Sequence, residues 1–230
     1  MQVLANARLG LFGALSAITG MVLSGPVAML SVNAVHPQPP WQSARVFADN
    51  YHAIQMVPYA FGFLFVGGCV VLVAALRGLA GPGEQAACRL GLLVSALGAT
   101  FIFFNYVLQT TFVPALVRAN RPEVDVVISS LTMVNPASLA WALEMWGYGF
   151  LGLGSWLAAP ALDRGQLERA ARWMLAGNGV ISLVGTATTV AQLDWVLGSK
   201  GVVSYIAWNV YFLGTLVLVA VALRRRHAAI

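Results

Sequence analysis

Six apolar runs, at 9–32, 54–76, 90–117, 137–160, 172–193 and 202–223, follow one another through the chain with only short connections between them. A helix needs about 20 apolar residues to cross the hydrocarbon core of a bilayer. Each run meets that length. The expected fold is therefore all-α: a polytopic membrane helix bundle of about six transmembrane helices, forming a single domain over 1–230, since no stretch remains for a soluble one.

Composition agrees. Of the residues, 59% are hydrophobic and only 9% charged, and the mean hydropathy is +0.78, well outside the range of water-soluble domains. The net charge of +5 does not point to nucleic acid, because the basic residues sit between the apolar runs and form no stripe. They act as topology signals. Nine Lys and Arg lie on the side of the two termini and four on the other, which predicts cytoplasmic termini and a plasma (inner) membrane location. Val32-Asn33-Ala34 resembles a signal-peptide cleavage site, but the preceding run exceeds the usual length of about 7–15 residues, so it reads as a retained span. Cys69 and Cys88 fall towards the cytoplasmic side, where thiols stay reduced.

The two outer connections carry helix signals of their own. In 36–52, Ser43 can cap a turn bearing Val46, Phe47 and Tyr51; in 118–135, Asn120-Arg121-Pro122-Glu123 opens a run with Val124, Val127, Ile128 and Leu131 on one side. An apolar stretch near 11 residues is too short to span, so both are expected as interfacial or re-entrant helices roofing the outer face.

Against this background Glu144 stands out. An acid near the bilayer centre costs roughly 2.5–3.5 kcal/mol on insertion scales. With Asn135 and Pro136 taken as cap and first turn of the fourth helix, Glu144 lies about 12 Å below the outer end at 1.5 Å per residue. Its face reads Ala137, Trp141, Glu144, Tyr148, Leu151 and Ser155, with Trp146 pointing elsewhere. Other runs place polar residues at the same depth: Gln55 and Tyr59 on the second, Asn105 and Gln109 on the third, Thr189 and Gln192 on the fifth, Tyr205 and Asn209 on the sixth. Asn178 is the exception, near the inner side. The pattern predicts an aromatic-rimmed polar cavity opening outward above a packed inner plug.

Plainer readings compete residue by residue. Membrane amides are often interhelical glue contributing roughly 0.6 kcal/mol each, and Trp141, Trp208 and Tyr205 could belong to an interfacial aromatic belt. Glu144 could be held structurally by Asn105, Gln109 or Asn209. Asp194, beside Trp195, is a second candidate acid with the alternative of a solvated loop residue. Asp49, His52 and His36 make no compact ligand motif, so no metal is expected. Gly147-Tyr148-Gly149-Phe150-Leu151-Gly152 matches G-x-G-x-x-G but lies inside a spanning helix and follows no strand. Its glycines fit close helix packing, as do Gly91/Ser95 and Gly154/Ala158. The only lysine, Lys200, lies in a loop and cannot carry a mid-membrane Schiff base.

The leading functional expectation is a membrane-integral enzyme, an isomerase or cyclase of an unsaturated isoprenoid-like lipid. Glu144 and Asp194 would be its acids, and Tyr59, Asn105, Gln109, Trp141, Tyr148, Gln192, Tyr205, Trp208 and Asn209 its substrate contacts. A neutral carboxylic acid can give up a proton, and aromatic faces stabilise developing positive charge; this chemistry calls for no cofactor. Proton-coupled transport of a small molecule or lipophilic cation, and a non-catalytic membrane subunit, are the alternatives. Expected partners are membrane lipid and a lipophilic small molecule, not nucleic acid; a homo-oligomer is compatible with the chain.

Overall fold

The computed structural model describes residues 1–119, 121–191 and 198–228. Eight helices are numbered here in chain order: α1 (Gln2–Val35), α2 (Ala44–Asp49), α3 (Ala53–Leu79), α4 (Gln85–Ala119), α5 (Asp125–Leu131), α6 (Leu139–Ala158), α7 (Gly165–Ala191) and α8 (Ser199–Ala228). The described residues contain no strand. Of the helices, α1, α3, α4 and α8 are long and apolar enough to cross a membrane. The 20-residue α6 and 27-residue α7 are of comparable length but fall outside that group of four.

The six long helices form a closed ring. Each packs antiparallel on the next, α1 on α3, then α4, α6, α7 and α8, and α8 returns to α1. One end of the ring carries both termini, joined where the Arg8 Nε donates to His227 Nε2 at 2.6 Å. The other end carries α2 and α5 and is called the roofed end. Between them runs a core that includes Phe65, Leu72, Leu76, Ile102, Leu151 and Leu216.

Small residues set the closest approaches. Across the α4–α6 contact, a Cβ on Gly91 would sit 2.8 Å from the Gly154 carbonyl oxygen, and one on Gly98 would sit 2.6 Å from that of Gly147. Side chains there would force the helices apart. Of the glycines that imitate a dinucleotide fingerprint, Gly147 serves this seam, while Gly149 and Gly152 admit the Thr186 and Ser182 side chains of α7; small residues make such close contacts between helices in membranes.

Short helices form in both connections, and the first starts by the expected device: Ser43 Oγ accepts from the Val46 N–H at 3.2 Å. The start of α5 follows Pro122 and a short 3-10 turn. A second apolar cluster of Ala44, Phe47, Val113 and Ile128 ties α2 and α5 to the end of α4, separate from the main core.

Three local expectations change. The cap of α6 is Ser138, whose Oγ accepts from the Trp141 N–H at 3.0 Å; Asn135 instead tethers α5, donating to the Ser129 carbonyl at 2.7 Å. Gln55 does not join a polar stripe. It closes a capping box with His52 and donates to the His36 carbonyl at 3.1 Å. Finally, α7 begins seven residues before the apolar run, because Glu168 in its first turn is buried against Arg226 of α8 at 3.3 Å. That ion pair, with side chains 5% and 4% exposed, closes the terminal end of the ring.

Both π-helical turns lie in the roofed half: Leu23–Met29 of α1, which contains Pro26, and Leu108–Phe112 of α4, just before Pro114. Proline lacks an N–H and crowds the carbonyl four residues back. A widened turn relieves both problems, and such turns recur at functional sites.

Candidate functional site

Because Ser138 caps α6, Glu144 lies six residues into the helix from its cap, or about 9 Å at 1.5 Å per residue. This is shallower than the Asn135 start implied. The residue is only partly buried. Facing it across the glycine seam, α4 presents Asn105, Tyr106 and Gln109 at helical spacing, and all three are buried.

The hydrogen bonds make one continuous chain. Gln109 Oε1 accepts from the Met133 N–H at 3.2 Å, while its Nε2 donates to the Leu131 carbonyl at 2.7 Å and to Asn105 Oδ1 at 3.0 Å. Asn105 Nδ2 in turn donates to Glu144 Oε2 at 2.6 Å. On the other carboxyl oxygen, the Tyr106 hydroxyl is 3.5 Å from Oε1 and 2.8 Å from the Tyr148 hydroxyl. The chain links the turn after α5 to the bundle interior, with the carboxyl in its middle.

Aromatic rings surround its inner part. Tyr59 and Phe63 flank Tyr106 at ring distances of 5.6 and 5.5 Å. Tyr148 meets Phe65 at 6.1 Å and Trp208 at 5.4 Å, and Phe212 touches both of those rings. Deeper still, Cys69, Leu72, Leu151, Ser155, Phe212 and Leu216 help line an almost wholly apolar cavity of about 20 Å³. That is room for roughly one water-sized group. The inner plug expected to be solid therefore has a small void at its upper edge.

The structure brings Asn105, Gln109 and Tyr148 into the hydrogen-bond chain and packs the Tyr59 ring against Tyr106. Trp208 belongs to the ring cluster and donates its Nε1 proton to Ser182 Oγ at 3.2 Å. Asn209 does not hold the acid: its amide donates to the Tyr205 carbonyl at 2.8 Å within α8. Tyr205 is half exposed, with its hydroxyl 3.9 Å from Met29 Sδ. Trp141, one turn above Glu144, buries an Nε1 with no hydrogen-bond partner, as does the Tyr51 hydroxyl beneath the roof. Burial pushes the Tyr51 hydroxyl up from its ordinary pKa, with Arg118 pulling the other way. Gln192 and Asp194 lie outside the described residues. Asn178 sits apart, donating to Ser155 Oγ at 3.4 Å.

His36 and His52 stack at 3.6 Å with planes 8° apart. His52 Nδ1 accepts from the Ile54 N–H, and Asp49 pairs with Arg45. Among the described residues no group of three or more His, Cys, Asp or Glu is placed to hold a metal.

Three residues were missed from sequence, one in the site and two in the ion pair at the terminal end. Tyr106 sits in an apolar aromatic stretch, "FIFFNYV", where a tyrosine looks like packing; its position next to Asn105 was the available signal. Glu168 and Arg226 are 58 residues apart, and no local pattern pairs them. Compared with protein-family models, curated proteins and solved structures, the chain matches none. Its function is read from this geometry.

Proposed function

We propose that the chain is a six-span membrane protein, with termini in the cytoplasm and its roofed end outside, that transfers a proton between Glu144 and a lipophilic molecule. Its reaction class is isomerisation or cyclisation of an unsaturated, isoprenoid-like substrate, without a cofactor. The observation that carries this reading is the unequal treatment of the two carboxyl oxygens. Asn105 fixes Oε2 at 2.6 Å, while Oε1 meets only a hydroxyl at 3.5 Å among the hydrogen bonds found for it. Here one oxygen is anchored and the other is free to exchange a proton, beside tyrosine and tryptophan faces suited to a developing cation.

A second reading, proton-coupled carriage of a small molecule or lipophilic cation, draws support from the two π-helical turns in the roofed halves of α1 and α4. Both helices run continuously through these turns, and such turns recur at functional sites.

The test uses purified protein in vesicles of its host's lipids, transferred to D2O. Mass spectrometry should show deuterium entering carbon positions of a lipid, and Glu144→Gln, which keeps size and hydrogen bonding, should abolish it. If the parent labels no lipid but acidifies vesicles in a Glu144-dependent way, carriage replaces catalysis. If Glu144→Gln behaves as the parent, both readings fall.

A further inference from the structure

Tyr106 joins the two halves of the site. Its side chain is 4% exposed, and its ring occupies space that Gly62 leaves open, since a Cβ on Gly62 would collide with the ring. The ring is clamped between Tyr59 and Phe63, which aims the hydroxyl at two oxygens, Glu144 Oε1 and the Tyr148 hydroxyl. Beyond Tyr148, among the described residues, lie the rings of Phe65, Trp208 and Phe212 and the small apolar cavity. The hydrogen-bond chain that enters from the roof thus ends at the Tyr148 hydroxyl, against Phe65 and Trp208.

We propose that Tyr106 is the relay that carries a proton between Glu144 and Tyr148, and that the Tyr148 hydroxyl, not the carboxyl, meets the reacting atom of the lipophilic molecule. This rests on the proton-transfer reading above and adds where the proton is delivered.

The step balances without a co-reactant. The Glu144 carboxyl gives its proton to the Tyr106 oxygen as Tyr106 gives its own to the Tyr148 oxygen and Tyr148 gives its own to a double-bond carbon. One C–H bond forms at the expense of the π bond, both tyrosines end neutral, and Glu144 ends as a carboxylate. Loss of a proton from the neighbouring carbon to Tyr148, returned along the same chain, sets the double bond one position along and restores the acid. Strong O–H···O bonds span about 2.5–3.0 Å. The Tyr106–Tyr148 link at 2.8 Å meets this and the Tyr106–Glu144 link at 3.5 Å does not. The relay is therefore open by less than an ångström in the resting state, and closes when the site is filled, as catalytic hydrogen bonds do.

Tyr106→Phe keeps the ring against Gly62 and removes only the hydroxyl. In the D2O experiment it should slow deuterium uptake by roughly 10²-fold or more, while the lipids that copurify stay unchanged. Tyr148→Phe should do the same. Infrared difference spectra across a pH titration give a readout that needs no turnover: protonating Glu144 should shift the tyrosine C–O bands of the parent, and the Tyr148 contribution should vanish in Tyr106→Phe. A Tyr148 response that survives in Tyr106→Phe, or deuterium uptake at the parent rate, overturns the relay. Intact infrared coupling in a protein whose Glu144→Gln form is fully active would support the hydrogen-bond chain while overturning the catalytic reading beneath it.

Discussion

Asn105 Nδ2 stands 2.6 Å from Glu144 Oε2 across the α4–α6 seam, and no solvent reaches the asparagine. Its Oδ1 is also engaged, accepting from Gln109. One amide thus holds both the acid and the residue that reaches the roof.

Replacing it should be felt on both sides. Asn105→Leu leaves the Glu144 carboxyl and the Gln109 amide each short of a partner, at a cost of about 1–3 kcal/mol for a buried polar group left unsatisfied. Thermal unfolding in detergent should show a clear loss of stability. Asn105→Gln, which keeps an amide but displaces it by one methylene, should be milder in stability than in proton transfer.

Gln109 makes a separate prediction, about motion. Its amide grips the turn after α5 through the Leu131 carbonyl and the Met133 N–H, and the roof's apolar cluster is detached from the main core. In Gln109→Leu, amide hydrogens over 125–135 should exchange faster while those of the α6 interior hold their rates. Unchanged exchange in the turn would show that the apolar cluster alone holds the roof.

The buried ion pair at the terminal end should behave asymmetrically. Arg226→Leu strands the Glu168 carboxylate beside the Arg164 N–H, and breaking such a pair costs about 3–5 kcal/mol. The double variant Glu168→Leu/Arg226→Leu should recover much of that loss. A double-mutant cycle on unfolding free energies checks the sign and size of the coupling.

Orientation can be tested by thiol labelling in intact cells, using single cysteines at Ser43, Ser129 and Gly165. The first two belong to the roof and should react with an impermeant reagent from outside; Gly165, at the terminal end, should not. Labelling of Gly165 would invert the topology and turn the roof towards the cytoplasm.

Much of the bundle was legible because apolar run length is a direct physical requirement of the bilayer, and Glu144, Asn105 and Gln109 were legible because a polar group in such a run demands a partner. Tyr106 was not, since tyrosine is equally at home as a packed ring, a belt residue or a hydroxyl donor; only a neighbour across the seam decides. Ser138 and Asn135 both satisfy the sequence rule for a cap, and the choice between them follows from α5 claiming the asparagine. The early start of α7 was hidden because Glu168 resembles a loop charge until Arg226 is brought beside it.

The glycine seam between α4 and α6 has a bearing on tolerance. Where two helices touch through side chains, rotamer changes and thermal breathing let the contact drift, and in lipid no hydrophobic force pulls it back. At Gly91 and Gly98 the nearest neighbours are backbone carbonyl oxygens of α6, while the Ile102 and Ser95 side chains pack directly on Gly147 and Gly154, so little between the helices can be compressed or rearranged. The separation of Asn105 and Glu144 then inherits the stiffness of two backbones in direct contact. In engineering terms the α4–α6 pair is a datum surface: the acid is machined to one side of it and its amide to the other, and whatever moves to admit a molecule must be fitted to them.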